Sequence, residues 1–483
     1  MSFLGSTGAG WPQQPSKYEI DTFGIVNTLL HTFSSSLFSE VTVGVNWSHQ
    51  YTSALDDAAR RNNDRTIVLP GLTQFFPQAN PDNLMPQATF AGGPSGTIAS
   101  FNVEPRWPFF GYNTLWNFSG NLTKVTGSHN IKAGLFVEHT TRPAQRSSVF
   151  NGALSFNSDG SNPLNTNVGF ANALLGAVTQ YQEADGHPTA HGQFVNSEWY
   201  VQDNWRIRPN FTIDAGLRFY YITPTQSEGD MVAQFEPREW NAAQAPLLFQ
   251  PISTPQGRCT VNPLTGEIFP LVYLGRLVPG SGVFINGMRV YEGTPQQNTP
   301  FKLAPHIGFA WDVTNDGRTA VRGGAGVFYD RYSDDKILDL VEMPPLLNTF
   351  TTNYTTIPEL LASPLTATTT SVRFIDAYAP PTVYNWSLGM QRDIGWNFVG
   401  DVAYVGNAAR DQRIDRQING QPYGFTYRPE NLDPTNVIGG QAPTAARRSA
   451  AALSRLLKHR APDLRGLRRL PLAAVHDEPP PVG

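Results

Sequence analysis

The sequence contains a single cysteine, Cys259, among its 483 residues. One thiol excludes an internal disulfide framework and any metal site built from several cysteines. Charged residues are also scarce, at 15%, where average proteins carry about a quarter. The net charge of −4 is too small to indicate a nucleic-acid partner. No run of about 18 apolar residues occurs, so no transmembrane helix is predicted, and a membrane location would require a β-barrel.

Residues that favour strands and turns are abundant, with 43 Gly, 39 Pro and 12% aromatics. This composition favours many strands joined by turns and loops. Apolar and polar residues alternate with a period of two, the pattern of a strand with one apolar face. These segments have roughly the length of a tilted membrane strand, about 9–11 residues. The clearest are Val41–Ser48, Ile131–Glu138, Phe211–Phe219, His306–Val313 and Tyr384–Gln391.

Short and long links between the strands alternate along the chain. Short turns are predicted at Ser34–Ser36, Gly127–Asn130, Arg206–Asn210, Thr314–Arg318 and Ile394–Gly395. The long stretches between hairpins cover about 50–111, 141–192, 223–300 and 332–381. Short periplasmic turns and long extracellular loops are the layout of an outer-membrane barrel. We therefore predict an all-β fold in residues 1–444: a partial transmembrane antiparallel β-barrel of about ten to twelve strands, ten of them in five clear hairpins.

The two faces of these strands have different chemistry. Aromatic residues near strand ends are predicted to form the interfacial girdles of the barrel, and they are Trp199, Tyr200, Trp205, Tyr220, Tyr221 and Tyr384. Charged residues alternate with the apolar positions and are predicted to face a hydrated interior, because a lipid-facing Arg or Lys at mid-bilayer costs about 2–4 kcal/mol. These are Glu138, Asp214, Arg218, Asp312 and Arg322.

Three hairpin regions carry motifs that resemble those of a known family. They are Trp199–Trp205 with Arg208–Phe219, Ala304–Asp312 with Asn315–Asp330, and Pro381–Arg392 with Asp401–Asn407; weaker matches lie at His31–Ser34 and Gly127–Gly134. In order and spacing they resemble TonB-dependent outer-membrane receptors, above all the Oar-like branch that bears a carboxypeptidase-regulatory-like domain. The resemblance covers roughly residues 20–444. One departure is His306, where that family more often has arginine after Ala-Pro.

This resemblance implies a 22-stranded barrel with an N-terminal plug, energised by TonB for uptake or binding of an extracellular solute. The plug, the TonB box, the carboxypeptidase-regulatory-like domain and the aromatic C-terminal strand of that family are not found in this sequence. The first residues also carry no secretory signal. We therefore interpret the chain as an internal barrel fragment of a receptor in the cell outer membrane of a Gram-negative bacterium. Its expected partners are outer-membrane lipid and, through the missing plug, the TonB system, and it is expected to be inactive alone.

The last 39 residues, Ala445–Gly483, differ from the rest in composition. They hold eight basic and three acidic residues, and they contain none of the Phe, Trp and Tyr that are frequent elsewhere. Ala, Arg, Leu and Pro, all with GC-rich codons, dominate. A frameshift after about Thr444 would explain this tail, and translating the DNA in the other two frames would test it. The alternative is a basic amphipathic helix over Ala450–His459 that binds a membrane surface or a partner.

Candidate chemical sites are few, and each has an ordinary structural explanation. Asp334-Asp335 at the start of a long loop are interpreted as solvated charge rather than calcium ligands. His187 and His191 have helical metal-ligand spacing, but Pro188 between them argues against a helix. Gly323–Gly326 lacks the Lys-Ser/Thr of a phosphate-binding loop and fits a curved strand or a lumen-facing surface better. Cys259 is expected to be inert. No catalytic, metal or cofactor-binding residue is assigned.

Three functions remain open at this point. The first is a segment of a TonB-dependent receptor for uptake or surface binding of a solute. The second is a structural or adhesive outer-membrane barrel that works through its long loops. The third is a secreted all-β carbohydrate-binding enzyme, which the aromatic content would suit. The flanking DNA would distinguish the first from the second, because it would encode the plug and the TonB box.

Overall fold

The computed structural model describes residues 15–92, 109–296, 301–332, 335–363, 366–368, 372–375, 379–396 and 398–412, together with positions 423, 424, 428 and 435. The predicted tail at 445–483 therefore lies outside the described residues. Antiparallel strands dominate the fold, as the alternating pattern predicts.

The strands, in chain order, are β1 (Ser16–Ser34), β2 (Leu37–Ala54), β3 (Gln87–Thr89), β4 (Phe109–Thr126), β5 (His129–Gln145), β6 (Ala153–Ser155), β7 (Ala177–Ala184), β8 (Thr189–Arg208), β9 (Phe211–Ile222), β10 (Gln226–Ser227), β11 (Met231–Phe235), β12 (Gln250–Thr254), β13 (Gly257–Val261), β14 (Ile268–Phe269), β15 (Met288–Glu292), β16 (Lys302–Asp312), β17 (Thr319–Tyr329), β18 (Thr349–Thr356), β19 (Thr366–Thr368), β20 (Thr382–Gly395) and β21 (Phe398–Arg410). The helices are short: α1 (Asp57–Asn62), α2 (Arg65–Val68), α3 (Gly169–Leu174) and α4 (Asp335–Leu338). Single 3₁₀ turns lie at Pro77–Ala79, Ala242–Gln244, Leu271–Tyr273, Asp339–Glu342 and Leu360–Ala362.

Ten long strands form one curved antiparallel sheet, the barrel wall. Its order is β1-β2-β4-β5-β8-β9-β16-β17-β20-β21, so each strand pairs with the next long strand in the chain. Within the described residues β1 and β21 each pair with one neighbour, and the barrel is not closed. This confirms the predicted partial barrel and its five hairpins.

Tight turns join the strands of each hairpin at one end of the wall, as predicted. The turn between β16 and β17 contains Asn315 and Gly317, both with positive φ (57° and 74°), which suits the predicted Asn-Asp-Gly sequence. The last hairpin turn lies slightly later than predicted, because β20 continues to Gly395 before β21 begins at Phe398. The opposite end of the wall carries four long links at 55–108, 146–188, 223–301 and 330–381, here termed loops 1 to 4.

The four loops contain sheets of their own. β3 of loop 1, β6 and β7 of loop 2, and β18 and β19 of loop 4 form a five-stranded sheet in the order β19-β18-β7-β6-β3. β11 pairs with β15, and β12, β13 and β14 form a third small sheet, all within loop 3. We refer to the described parts of the four loops together as the loop cap.

The buried apolar core lies mainly in the loop cap. Its largest cluster contains Leu72, Ala88, Phe90, Leu154, Phe156, Val178, Tyr181 and Leu360, drawn from loops 1, 2 and 4. The wall instead leaves large apolar side chains exposed, among them Leu29 at 67%, Val402 at 78% and Trp116 at 53%. Contiguous exposed apolar surface of this kind marks a surface that contacts a membrane or another protein. Within the described ranges, no helix combines the length and apolar character needed to cross a bilayer.

Candidate functional site

A row of interacting polar side chains crosses the wall on the face opposite the apolar residues. Arg218 Nη1 on β9 lies 2.8 Å from Glu198 Oε2 on β8. The Arg218 guanidinium also lies over the Tyr200 ring, 5.0 Å from its centroid. Tyr200 donates its hydroxyl hydrogen to Asn121 Oδ1 on β4 at 2.8 Å. These contacts form a continuous chain of side chains from β9 to β4 that crosses β5. We call its four members the polar row: Glu198, Arg218, Tyr200 and Asn121.

The polar row crosses β5 at Gly134, where the neighbouring side chains leave no room for a Cβ atom. Asn121, Gly134 and Tyr200 are directly paired in register across β4, β5 and β8. A Cβ on Gly134 would collide with the Tyr200 ring and lie 2.6 Å from Asn121 Oδ1. The glycine therefore lets the tyrosine lie flat across β5 and reach the strand beyond it.

A second polar group lies beside the row, centred on Asp214. Gln202 and Asn204 each donate to Asp214 Oδ2 at 3.3 Å, and His306 Nε2 lies 3.6 Å from Asp214 Oδ1. The His306 ring covers Gly216, its direct partner in register. Position 306 thus places an imidazole against a carboxylate.

The register places the charged residues that the sequence predicts for the interior on this polar face. One of them, Asp312, has a different role. Glu138, Asp214, Arg218 and Arg322 all occupy positions of the same parity as the polar row. Asp312 is instead a turn residue. Its carboxylate accepts the backbone N–H of Asn315 at 3.0 Å and of Gly317 at 2.8 Å, and so closes the β16–β17 turn.

The predicted girdle residues divide between the two faces. Trp199, Trp205, Tyr221 and Tyr384 share the register parity of the apolar face. The girdle prediction is wrong for Tyr200 and Tyr220, because both lie on the polar face, where Tyr200 belongs to the polar row and Tyr220 is buried. Tyrosine suits either face, since its ring is apolar and its hydroxyl polar.

A buried carboxylate holds loop 1 against the sheet of the loop cap. Glu183 on β7 has no exposed surface. Its two oxygens accept the backbone N–H groups of Phe75 and Phe76 at 2.9 and 2.7 Å, and the Tyr181 hydroxyl donates to it at 2.7 Å. Burial, followed by the nearby Glu183 charge, raises the pKa of Tyr181 well above its ordinary value.

An ion-pair cluster joins loop 2 to loop 4. Asp339 accepts hydrogen bonds from Arg146 and Arg373, and Arg146 Nε lies 3.7 Å from Glu342 Oε1. Burial is the main cause that raises the pKa of Glu342 and lowers the pKa of Arg146. Two arginines around one carboxylate therefore fix the relative position of these two loops.

Loop 3 contacts the same cap sheet through Arg276. Arg276 Nη2 donates to Asn353 Oδ1 at 3.3 Å, and Gln180 donates to the same oxygen at 3.1 Å. The next residue, Tyr354, has a positive φ of 53° and donates its hydroxyl hydrogen to Asp159 Oδ2 at 2.8 Å. Burial, and then the Asp159 carboxylate, raise the pKa of Tyr354. All four loops thus meet in one hydrogen-bonded assembly.

The chemical candidates from the sequence have structural partners. Asp335 lies 3.1 Å from Arg142, and Asp334 lies outside the described residues. His187 stacks on Phe150 with ring centroids 3.8 Å apart, while His191 lies on β8 beside Asp230. Burial lowers the pKa of His187 to about 4. The segment is not helical, as Pro188 predicts.

The glycine run and the cysteine also occupy structural positions. Gly323–Gly326 lie inside β17 of the wall, which confirms a strand rather than a phosphate loop. Cys259 lies on β13 of loop 3, half-buried, with its Sγ 3.9 Å from Thr254 Oγ1. Among the residues that the structure describes, no group of three His, Cys, Asp or Glu side chains could hold a metal ion.

Sequence reasoning missed the residues that organise the loop cap, namely Glu183, Asp339 and Arg276. The available signal was strand propensity in segments assigned to loops, since Ala177–Ala184 and Thr349–Thr356 are rich in Thr, Val and Tyr. Their pairing spans about 170 residues, as in the hydrogen bond from Gln182 to Thr351. Nothing local in the sequence specifies such a partner.

The wall, its exposed apolar face and its alternating short turns and long loops define an outer-membrane β-barrel. A comparison with protein families agrees, because the family described as "Outer membrane beta barrel domain" matches residues 3–459. The chain belongs to this family and is located in the outer membrane. The match continues into the predicted basic tail. No curated protein matches the chain.

Several solved structures are similar to parts of this chain. The outer membrane transporter YddB from Escherichia coli is 13% identical, with 84% of this chain and 37% of that chain covered and a TM-score of 0.40. The FrpB iron transporter from Neisseria meningitidis is 9% identical, with coverages of 82% and 38% and a TM-score of 0.35. The ferric yersiniabactin uptake receptor FyuA from Yersinia pestis is 8% identical, with coverages of 83% and 38% and a TM-score of 0.34. The chain thus spans well under half the length of these proteins.

Proposed function

We propose that the chain is a barrel segment of an Oar-like TonB-dependent receptor that takes up, or binds at the cell surface, an extracellular solute. The observation that carries the proposal is the loop cap. The long loops of outer-membrane barrels face the extracellular medium. In this chain the described parts of loops 1 to 4 pack against one another. Within outer-membrane barrels, the TonB-dependent class is favoured by the motifs that resemble it, at Trp199–Trp205, Ala304–Asp312 and Pro381–Arg392.

The loop cap supports solute binding because its loops are already ordered against one another. Glu183 fixes loop 1 on β7, Asp339 joins loops 2 and 4, and Arg276 joins loop 3 to β18. A preorganised surface loses less conformational entropy on binding than mobile loops would. We propose that the solute contacts this cap first and then meets the polar row, which offers both a carboxylate and a guanidinium.

The partners in this proposal are outer-membrane lipid around the apolar face and the TonB system through a plug region outside this chain. The polar face carries both signs of charge, as in the pair of Glu198 and Arg218, and so offers no one-sided basic surface for a nucleic acid. We assign no catalytic residue and propose a receptor or transporter role rather than an enzymatic one.

Site-directed labelling tests the sidedness on which the proposal depends. Two variants in a Cys259→Ser background carry one new thiol each, Thr265→Cys at an exposed site in loop 3 and Ser128→Cys in the β4–β5 turn. The full chain is expressed in the outer membrane, and intact cells are treated with a membrane-impermeant maleimide. We expect labelling of position 265 on intact cells and of position 128 only after the outer membrane is opened. The reverse pattern would contradict an extracellular cap.

A second experiment tests the TonB partnership separately. The gene is sequenced with its flanking DNA, and the complete product is purified and mixed with the periplasmic domain of TonB. We expect an encoded plug with a TonB box and a stable complex that a substitution in the box abolishes. A complete product that inserts in the membrane but does not bind TonB would favour the structural or adhesive barrel instead.

A further inference from the structure

A groove of about 800 Å³ lies on the apolar face of the wall, between β16 and β21. Small residues, Ala325 and Ala408, form its floor, and the larger side chains of Ile307 and Trp386 form its sides. Trp386 is 38% exposed and Ile307 58%, so the groove is open along its length. The gap arises because small residues interrupt a surface that is otherwise covered by large apolar side chains.

The register shows which face carries the groove. One lateral row contains Ile307, Ala325, Trp386 and Gly406, and the next contains Val327, Tyr384 and Ala408. Both rows have the parity of the exposed apolar positions, such as Leu388 and Phe309. His306 and Asn385, on the intervening positions, point to the polar face. The groove is therefore on the surface that faces lipid.

A cation lies at the loop end of this groove. Arg410 pairs with Thr382, one step beyond the row of Tyr384 and Ala408 toward loop 4, and it lines the groove. Its side chain makes no hydrogen bond or ion pair with the described residues. The neighbouring Asp411 is held differently, since its carbonyl oxygen accepts the Tyr332 hydroxyl. A guanidinium on a lipid-facing surface is costly at mid-bilayer and tolerable at the interface, where lipid phosphates supply counter-charge.

We propose that the groove binds one acyl chain of a phosphate-bearing anionic lipid of the outer leaflet, with the phosphate against Arg410. The apolar floor accepts the chain, and a guanidinium matches phosphate oxygens in a bidentate geometry. Tyr384, whose register row lies between the rows of Arg410 and Trp386, occupies the position of an interfacial girdle residue. This inference depends on the outer-membrane location and is independent of the proposed solute and of TonB.

Quenching of Trp386 by brominated lipid measures occupancy of the groove directly. The full chain is reconstituted in phosphatidylcholine vesicles that contain increasing fractions of phosphatidylglycerol with brominated acyl chains. The fluorescence difference between the wild type and Trp386→Phe isolates the signal of this tryptophan from the other nine. We expect half-maximal quenching of Trp386 at a lower brominated fraction than for Trp116, which lies on the same face but pairs with Val45 and His139 rather than lying near an arginine.

Two groups of variants separate the headgroup from the chain. Arg410→Gln should raise the fraction of brominated phosphatidylglycerol needed by about fivefold, the factor that one basic residue contributes beside anionic lipid. Arg392→Gln is the matched control, because Arg392 lies on the same face of β20 at the turn end. Ala408→Leu should reduce quenching with Arg410 intact, since it fills the floor. Heat-dependent migration on gels verifies that each variant is folded.

Three outcomes would overturn the proposal. Equal effects of Arg410→Gln and Arg392→Gln would remove the role of the cation at the loop end. Equal quenching by brominated phosphatidylcholine and phosphatidylglycerol in the wild type would remove the preference for an anionic headgroup. Relief of quenching by inorganic phosphate at constant ionic strength would show that Arg410 binds the free ion rather than a lipid.

Discussion

Tyr181 donates its hydroxyl hydrogen to Glu183 Oε2 at 2.7 Å, two residues further along β7, in the fully buried part of the loop cap. The same carboxylate accepts the amides of Phe75 and Phe76 from loop 1. The interaction therefore holds the segment around Phe75 and Phe76 against the cap sheet, which loop 1 also joins through the pairing of β3 with β6.

Glu183→Gln should release the loop 1 segment around Phe75 and Phe76 while the wall remains folded. The glutamine places an NH₂ group opposite donors, and an unsatisfied buried donor costs about 1–3 kcal/mol. We expect proteolysis within residues 69–79 to become at least tenfold faster in detergent, because cleavage follows local opening. Glu239→Gln is the control, since Glu239 pairs with Arg289 at the surface. Equal protease resistance of wild type and Glu183→Gln would contradict this role.

The stack of His187 on Phe150 should make the loop cap acid-sensitive. The pKa of His187 is lowered to about 4 from an ordinary 6.5. Between these values the unfolded loop binds a proton and the folded loop does not, so the free energy of unfolding falls as the pH drops from 6.5 toward 4. The loss should approach roughly 2 kcal/mol once partial exposure is allowed for.

Protease sensitivity of loop 2 as a function of pH measures this effect. His187→Phe preserves the stacked ring without a titratable group, so its loop should stay resistant down to about pH 4, unlike the wild type. His191→Gln, a change at an exposed histidine, should retain the fall of the wild type. Identical pH profiles for wild type and His187→Phe would assign the acid sensitivity to other groups.

Gly134→Ala should disrupt the polar row. The added methyl group would overlap the Tyr200 ring, so the tyrosine must leave Asn121 and Arg218. Overpacking of this kind typically costs 1–3 kcal/mol. Urea unfolding in micelles should show that loss, and the double variant Gly134→Ala/Tyr200→Ala should recover part of it, because the space is then available. No recovery in the double variant would show that the strain lies elsewhere.

Asp312→Ala should weaken the β16–β17 hairpin. The substitution removes two hydrogen bonds to the backbone of Asn315 and Gly317. Hydrogen bonds to charged groups contribute about 1.5–3 kcal/mol each when well formed, and less in an exposed turn. We expect a loss of about 1–2 kcal/mol and slower refolding into detergent micelles. Asp312→Asn keeps one acceptor oxygen, so its free energy of unfolding should lie between those of the wild type and Asp312→Ala.

Local pattern was sufficient to predict the wall. Alternation at Phe211–Phe219 identifies β9 and its apolar face, and Asn315-Asp316-Gly317 identifies a turn whose positive φ values the structure shows. Both signals work because strand pairing within a hairpin is set by neighbours in sequence. The girdle prediction is wrong for Tyr200 for a physical reason: its hydroxyl reaches Asn121 only because Gly134, on the neighbouring strand β5 and 66 positions earlier in the chain, leaves room for the ring.

The loop cap could not be predicted in the same way. Its sheet brings together β3, β7 and β18 from three loops, so its pairing is non-local and its short strands resemble ordinary loop sequence. The polar contacts that fix it, such as Asp339 with Arg146, join residues 193 positions apart. From sequence alone, a charged residue in a loop is predicted to be exposed to solvent. Only the folded structure shows that Asp339 and Arg146 are partners.

The ten strands of the wall occur as five hairpins, each closed by a tight turn at the same end. A change of one strand would reverse the direction of every strand after it and move the later loops across the membrane. Loss or gain of a whole hairpin leaves the sidedness of all other loops unchanged. The smallest unit that can be added to or removed from this fold without moving the other loops is therefore a pair of strands with its outer loop. Barrels of different circumference can accordingly present their remaining outer loops on the same side of the membrane.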